Sequence, residues 1–342
     1  MSRILVFGRD QKAQAEVTAQ IDRGWMLNGN NLVTGGGSTT LELTSDQASK
    51  PFWQFGRMVL AAHEKLPNWA GVIDPPWQVS LPVVTAVYNP EYLLSLRSPD
   101  ESVFLTGSVG AIAAKMVEMF NSLGDMFVRI GDTSQADPNP RQMTLDGRNY
   151  WDQLLTLLKR SRCEMRTRSE RDSEGHLITY LDIARRIGVE TGFLYSDGEQ
   201  GNASFGDLTL DGPILNRVIG IGGESGKASR LRTNPFLDEA SASLYGARSR
   251  VVQFQDVVEP STLDTYSKNH LAFHASPHLA LIMNIVDKGE AFLNARLGNT
   301  VLVHISQAHL PGGVRGFRGR GRILAMAYTE SQNLLSARVE LL

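Results

Sequence analysis

Three acidic pairs carry the residue types of a hydrolase: Asp172 with Glu174, Asp197 with Glu199, and Asp238 with Glu239. Two carboxylates set across a glycosidic bond can serve as general acid and as base or nucleophile. All three pairs fall in turns or at a helix start. Asp238 and Glu239 suit the positive end of a helix dipole, a structural role. No Gly-x-Ser-x-Gly nucleophile elbow occurs. His270, His274 and His278 recur every fourth residue. On one continuous helix they would share a face, as metal ligands do. Pro277 disfavours helix at Ser276, so His274 and His278 are expected in a loop, with polar capping as their role. Cys163 lies near a helix end beside Arg160 and Arg162. Such cations lower a thiol pKa, but no base partner is evident, and Cys163 reads as a small buried hydrophobe.

Arg315, Arg318, Arg320 and Arg322 are interleaved with glycine. One reading is a nucleic-acid contact like an Arg-Gly segment. The other is a Gly-rich hairpin whose arginines pair with acids of a neighbouring subunit. The near-neutral total charge and the flanking strands favour the second. Trp53, Trp69 and Trp77 could stack on sugars, although Trp69 and Trp77 flank strands and read as core. Gly35-Gly36-Gly37-Ser38 resembles a phosphate loop but lacks the following Lys-Ser/Thr and a long helix, so it reads as a flexible turn. No catalytic, cofactor-binding or metal-ligating residue is assigned.

These residues must be positioned by a chain of 342 residues with formal net charge -2, 42% hydrophobic and 20% charged. That length suits two or three domains and a substantial core. The charge gives no general pull toward nucleic acid or anionic membrane. One cysteine excludes an internal disulfide framework and a Cys-based zinc site. The apolar start Ile4 to Gly8 is cut short by Arg9 and Asp10, so it reads as a strand and not as a signal peptide, and cytoplasmic synthesis and folding are expected.

The first 100 residues read as mostly β. Ile4 to Phe7 and Val17 to Ile21 form a first strand pair, Leu41 to Thr44 a third strand, and Phe55 to Ala62 a fourth. Trp69 to Pro76 and Leu81 to Tyr88 read as two strands with a turn at Pro75-Pro76, because proline cannot continue a ladder. Pro90 then opens a short helix ending near Arg97. Val109, Ile112, Ala113, Met116, Val117 and Phe120 make one helix face, with Ser108 as N-cap and Gly124 beyond the end. A second helix spans Asn149 to Ser161. Cys163 to Arg168 and His176 to Ile183 make a strand pair around the Asp172 turn. Asp207 to Asp211 and Ile214 to Ile221 are β again. They are expected to pair with strands of residues 1–90. After a Gly- and Arg-rich stretch, helices at 237–245 and 262–273 precede four alternating strands beginning near Leu279, Val301, Ile323 and Leu335. The expected fold class is α+β, mostly antiparallel β. Its parts are a first β domain (1–100 with 206–228), an α+β insertion (101–205) with its own small core, and a second β domain (229–342).

This order resembles the hub proteins of phage tail tips and baseplates, namely the N-terminal region of the siphophage tail-associated protein and the related myophage hub. The resemblance rests on Trp69-Ala70-Gly71-Val72-Ile73 with Leu93-Leu94-Ser95-Leu96-Arg97, the helix from Thr106-Gly107 to Phe120, Ile214-Leu215-Asn216-Arg217-Val218, and Ser243-Leu244-Tyr245-Gly246-Ala247-Arg248. It implies two tube-protein-like β-barrel or sandwich domains and a homotrimer. Six such domains in a ring would adapt a six-fold tube to a three-fold tip and line the DNA channel. Its implied partners are a distal tail protein or tube ring above, a central fibre, spike or tip protein below, a tape measure protein, and DNA in transit. No stable membrane insertion and no cofactor are implied. The implied location is the virion tail tip, assembled in the host cytoplasm. Relatives often carry C-terminal enzyme or fibre domains; with this sequence ending at Leu342, those are expected on separate chains. The alternatives are a tail-associated cell-envelope hydrolase and a receptor- or sugar-binding tail module.

Overall fold

The structure is a computed structural model describing residues 2–28, 38–78, 83–211, 213–223, 230–255, 257–310 and 314–342. The turn at Gly35 to Gly37 and the start of the expected strand at Leu81 lie outside these residues. The fold is mostly antiparallel β. It begins with β1 (Ser2–Phe7), β2 (Ala13–Ile21), β3 (Arg23–Asn28), β4 (Ser38–Leu43), the short helix α1 (Ser45–Ala48), β5 (Met58–Ala62), β6 (Trp69–Gln78) and β7 (Val83–Tyr88). Six of these strands close into a barrel in the order β1-β2-β4-β7-β6-β5. Side chains alternate across each strand. Ile4, Val59, Trp69 and Ile73 therefore enter one core cluster, while Phe7, Met58, Leu60, Ala70 and Val72 enter another on the opposite face. Strands β1, β5 and β6 are thus buried on both sides.

Pro75-Pro76 does not end its strand. β6 runs on to Gln78, with its register against β7 shifting between Asp74 and Trp77. The prolines sit in that irregular step, where no ladder N–H is required. Strand β3, absent from the sequence reading, leaves the barrel. It pairs at Asn28 and Leu27 with a strand at Met165 and Arg166, and at Met26 to Arg23 with one at Ala325 to Tyr328. The Arg23 guanidinium is fully buried there, 5.3 Å from the Tyr328 ring centroid. Burial lowers its pKa, and Glu330 opposes that.

A layer of helix and sheet covers the outer face of β1, β5 and β6. It contains α2 (Tyr92–Ser95), β8 (Val103–Gly107), α3 (Val109–Ser122), β9 (Val128–Ile130), β10 (Arg141–Leu145), α4 (Tyr150–Ser161), β11 (Glu164–Arg171) and β12 (Leu177–Ala184). Ser108 and Asn149 cap α3 and α4 through side-chain oxygens that accept from Ala111 N and Asp152 N. Ile112, Met116, Phe120, Trp151, Leu154 and Leu158 pack with Met58, Leu60 and Val72 of the barrel in one cluster. The separate small core expected for residues 101–205 is therefore not found, because its helices share a core with the barrel.

The remaining strands form a second group. β13 (Glu190–Ser196) and β14 (Ala203–Asp211) precede β15 (Arg217–Gly222), β16 (Phe236–Leu237), α5 (Glu239–Tyr245), β17 (Ser249–Phe254) and α6 (Pro260–His274). Then come β18 (His278–Val286), α7 (Ala291–Asn294), β19 (Thr300–Leu310), β20 (Val314–Thr329) and β21 (Leu334–Leu341). Pairing runs β13-β19-β20-β21-β18-β14, and through β20 and β3 this group continues into β11, β12 and β9 as one ten-stranded sheet. Asn202 ties the β13–β14 turn, its Oδ1 accepting from Ser196 N and its Nδ2 donating to Leu194 O.

Here the pairing expected from sequence is corrected. The strand containing Val218 pairs with β16 and in parallel with β17, and with nothing from residues 1–90 among the described residues. The 207–211 segment pairs with β18. β14 alternates between buried and exposed positions while β15 buries Val218, Ile219 and Gly220 in succession, and neither pattern names a partner. Asn216, fully buried, donates from Nδ2 to Gly246 O (2.7 Å) and accepts from Arg248 N (2.7 Å). It thereby joins two of the stretches that carry the resemblance, which sequence reading had placed in different domains. No helix among the described residues is long and apolar enough to cross a membrane.

Candidate functional site

The residues with chemistry scatter. Asp172 Oδ1 accepts from Glu174 N and His176 N. Desolvation opposes ionisation there, yet these bonds hold the Asp172 pKa below the ordinary range. Asp197 accepts from Ser306 N and Oγ, each at 2.9 Å, pinning the β13–β14 turn to β19. Asp238 caps α5, accepting from Ser241 N at 2.8 Å, with Glu239 in the first turn. That is the helix-terminus role read from sequence. The three pairs lie on separate elements and converge on no common point.

The histidines differ from expectation. His274 is the last residue of α6 and His278 the first of β18, so neither is a loop residue. Pro277 does break the helix before His278. The His270 and His274 rings lie 4.5 Å apart. His278 turns away, with Nδ1 2.7 Å from Glu340 Oε1 and Nε2 2.6 Å from Phe273 O. Burial, then His274 and Arg250, lower the His270 pKa to about 4. No group of three or more His, Cys, Asp or Glu able to hold a metal occurs among the described residues.

The Arg-Gly run is one long strand, β20, and two of its arginines pair within their own chain. Arg320 lies 3.2 Å from Glu190. Buried Arg322 forks onto Glu164, both N–H···O distances being 2.5 Å. It also donates to Ile187 O and Gly298 O, while Glu164 Oε2 accepts from Ile187 N. Gly188 and Gly298 let these segments meet. Both have positive φ (95° and 81°), and a Cβ on Gly188 would come within 2.1 Å of the Gly298 carbonyl carbon. Trp53 and Trp69 are buried, Trp69 Nε1 donating to Gly24 O, so neither is a sugar platform.

What the structure does assemble is a cleft of about 520 Å³ where α4, α6, β17, the middle of β20 and the end of β21 meet. The Arg322–Glu164 pair and buried Cys163 form part of its wall. Burial raises the Cys163 pKa, and Asp137 N donates to its sulfur, so the thiol stays protonated at neutral pH. Both carboxylates lining the cleft, Glu164 and Glu340, are engaged by Arg322 and His278. The arrangement offers positive charge and hydrogen-bond donors, with neither an activated nucleophile nor a free acid. Sequence reading missed it because Lys159, Arg186, Gln253 and Asn269 are brought together only by packing.

No protein-family model matches the sequence, and no curated protein sequence matches it. Solved structures do. The 43 kDa tail protein of prophage MuSo2 from Shewanella oneidensis superposes with TM-score 0.60 at 10% identity, over 99% of this chain and 98% of that one. The tail protein from Neisseria meningitidis MC58 gives 0.62 at 11% identity, covering 99% and 96%. Prophage tail protein gp18 from Listeria monocytogenes EGD-e gives 0.57 at 12%, covering 99% and 94%. The chain has the fold of these phage tail proteins along almost its whole length, in line with the resemblance read from its sequence.

Proposed function

We propose that this chain is a structural, non-enzymatic hub of a phage tail tip or baseplate, acting within the virion. The observation that carries the reading is the pairing of two β groups in one chain, the closed six-strand barrel and the strands β13, β14 and β18 to β21, which belong to a ten-stranded sheet continued through β3 into β11, β12 and β9. The near full-length likeness to prophage tail proteins supports it. Three copies would set six comparable β units in one ring, meeting a six-fold tube on one side and a three-fold tip on the other, with DNA passing through. In this parsing the 103–184 layer and the 214–275 unit are the two attachments of the β pair. A tube ring or distal tail protein above, a fibre or spike below and the tape measure protein are the neighbours such a ring would meet. Native mass spectrometry of particles or of the chain co-assembled with its tail neighbours should show three copies per ring. A stable dimer, or a ring of six copies, would overturn the hub reading.

A further inference from the structure

The cleft beside α4 and α6 is lined by six basic side chains against two carboxylates, on a chain whose overall charge is -2. Its two acids are engaged internally, Glu164 in an ion pair with Arg322 and Glu340 through a 2.7 Å contact with His278 Nδ1. Lys159, Arg162 and Arg186 have no carboxylate partner among the described residues, and Arg162 and Arg186 are exposed. A second hollow of about 380 Å³ shares Arg162, Arg185 and Asn269 and prolongs the first. The site is therefore elongated, and suits an extended chain better than a single ion.

We propose that this cleft binds an extended acidic segment of a partner protein. Two further observations favour peptide over nucleic acid. Strand β17 pairs only with β15 among the described residues, and its last residues, Gln253 and Phe254, line the cleft. Such an edge strand is the template for strand addition by a peptide backbone, although at its last residue the Phe254 carbonyl already accepts from Val257 N at 2.9 Å. Of the aromatic rings of the wall, Phe254 and Tyr266 are not available for base stacking, and half-buried Phe273 is stacked on the His278 ring at 4.4 Å. Phe254 and Tyr266 are buried, with the Arg160 guanidinium over both at 5.8 and 5.4 Å. Single-stranded nucleic acid needs such platforms. Asn269 and Gln253 add neutral hydrogen-bonding groups at the cleft wall. The tail-hub reading bears only on where such a peptide comes from; the binding itself is independent of it.

The test uses the full chain and a fluorescein-labelled octapeptide of alternating acidic and aliphatic residues, followed by anisotropy at low salt. Saturable binding is expected. It should weaken at least tenfold in the doubly substituted Arg162→Glu, Arg186→Glu chain, and be absent for the same peptide with lysine in place of its acids. Arg9→Glu with Arg171→Glu, exposed cations outside the cleft, should leave binding unchanged. Because Arg162 ends α4 in a left-handed conformation (φ 53°), Arg186→Glu alone serves as the variant free of any helix-end effect and should also weaken binding. No saturable binding, or equal binding by the cleft variants, overturns the proposal. So does displacement of the peptide by oligothymidylate or tripolyphosphate at matched charge, which would mark a general anion site. None of these outcomes alters the stoichiometry of the assembled ring, so the two readings fail separately.

Discussion

At the scale of single residues, the strongest polar node is Arg322 with Glu164, both about nine-tenths buried and joined to the backbone of Ile187 and Gly298. Removing one partner leaves a buried charge uncompensated, which costs about 3–5 kcal/mol, whereas removing both can be near neutral. Arg322→Met is therefore expected to lower unfolding free energy in urea by about that amount, and Arg322→Met with Glu164→Leu to recover most of it. His270 supplies a pH dependence. Its pKa is about 4 in the fold, lowered by burial and by His274 and Arg250, against about 6.5 in an unfolded chain. As pH falls, the unfolded chain takes up this proton first. The contribution to stability is complete above pH of about 6.5 and is lost progressively toward about 4. Urea midpoints should fall less steeply across that window in His270→Gln than in the parent chain.

At the scale of elements, α3 and α4 are legible from spacing and caps alone, and their apolar faces do bury Ile112, Met116, Phe120 and Trp151. What they bury against was not legible. Because the cluster includes Met58, Leu60 and Val72 of the barrel, the helical layer is part of the barrel's stability. Phe120→Ala should cost about 3–5 kcal/mol, in a single transition seen alike by far-UV circular dichroism and tryptophan fluorescence. Replacing residues 103–184 by a short Gly-Ser linker should expose the outer face of β1, β5 and β6, giving dye binding to apolar surface and loss of the cooperative transition. A barrel that kept a sharp transition after this deletion would show that the shared core is dispensable.

At the scale of the whole molecule, the three acidic pairs sit on separate elements of the fold. Asp172 and Asp197 each accept backbone N–H groups in turns, the use of a carboxylate that fixes a loop. The purified chain is expected to release neither sugar nor peptide from peptidoglycan above a blank. Release that disappears on changing Asp172, Glu174, Asp197 or Glu199 to Ala would reverse that expectation.

The sequence by itself determined the mostly β character, the capped helices at 109–122 and 150–161, the hairpin at 164–184 and the alternation of the last four strands. Each follows from interactions between residues near in sequence: periodicity, caps and turn chemistry. It also carried a family resemblance that the shared fold bears out. Only the tertiary structure decided which strands pair. Half-buried strands expose the same ladder of N–H and C=O groups whatever their origin, so nothing local sends β14 to β18, β15 to β17 or β3 out of its barrel. The same holds for the basic cleft. Its residues come from positions 156 to 342, and their charges become a site only because packing closes the chain around them.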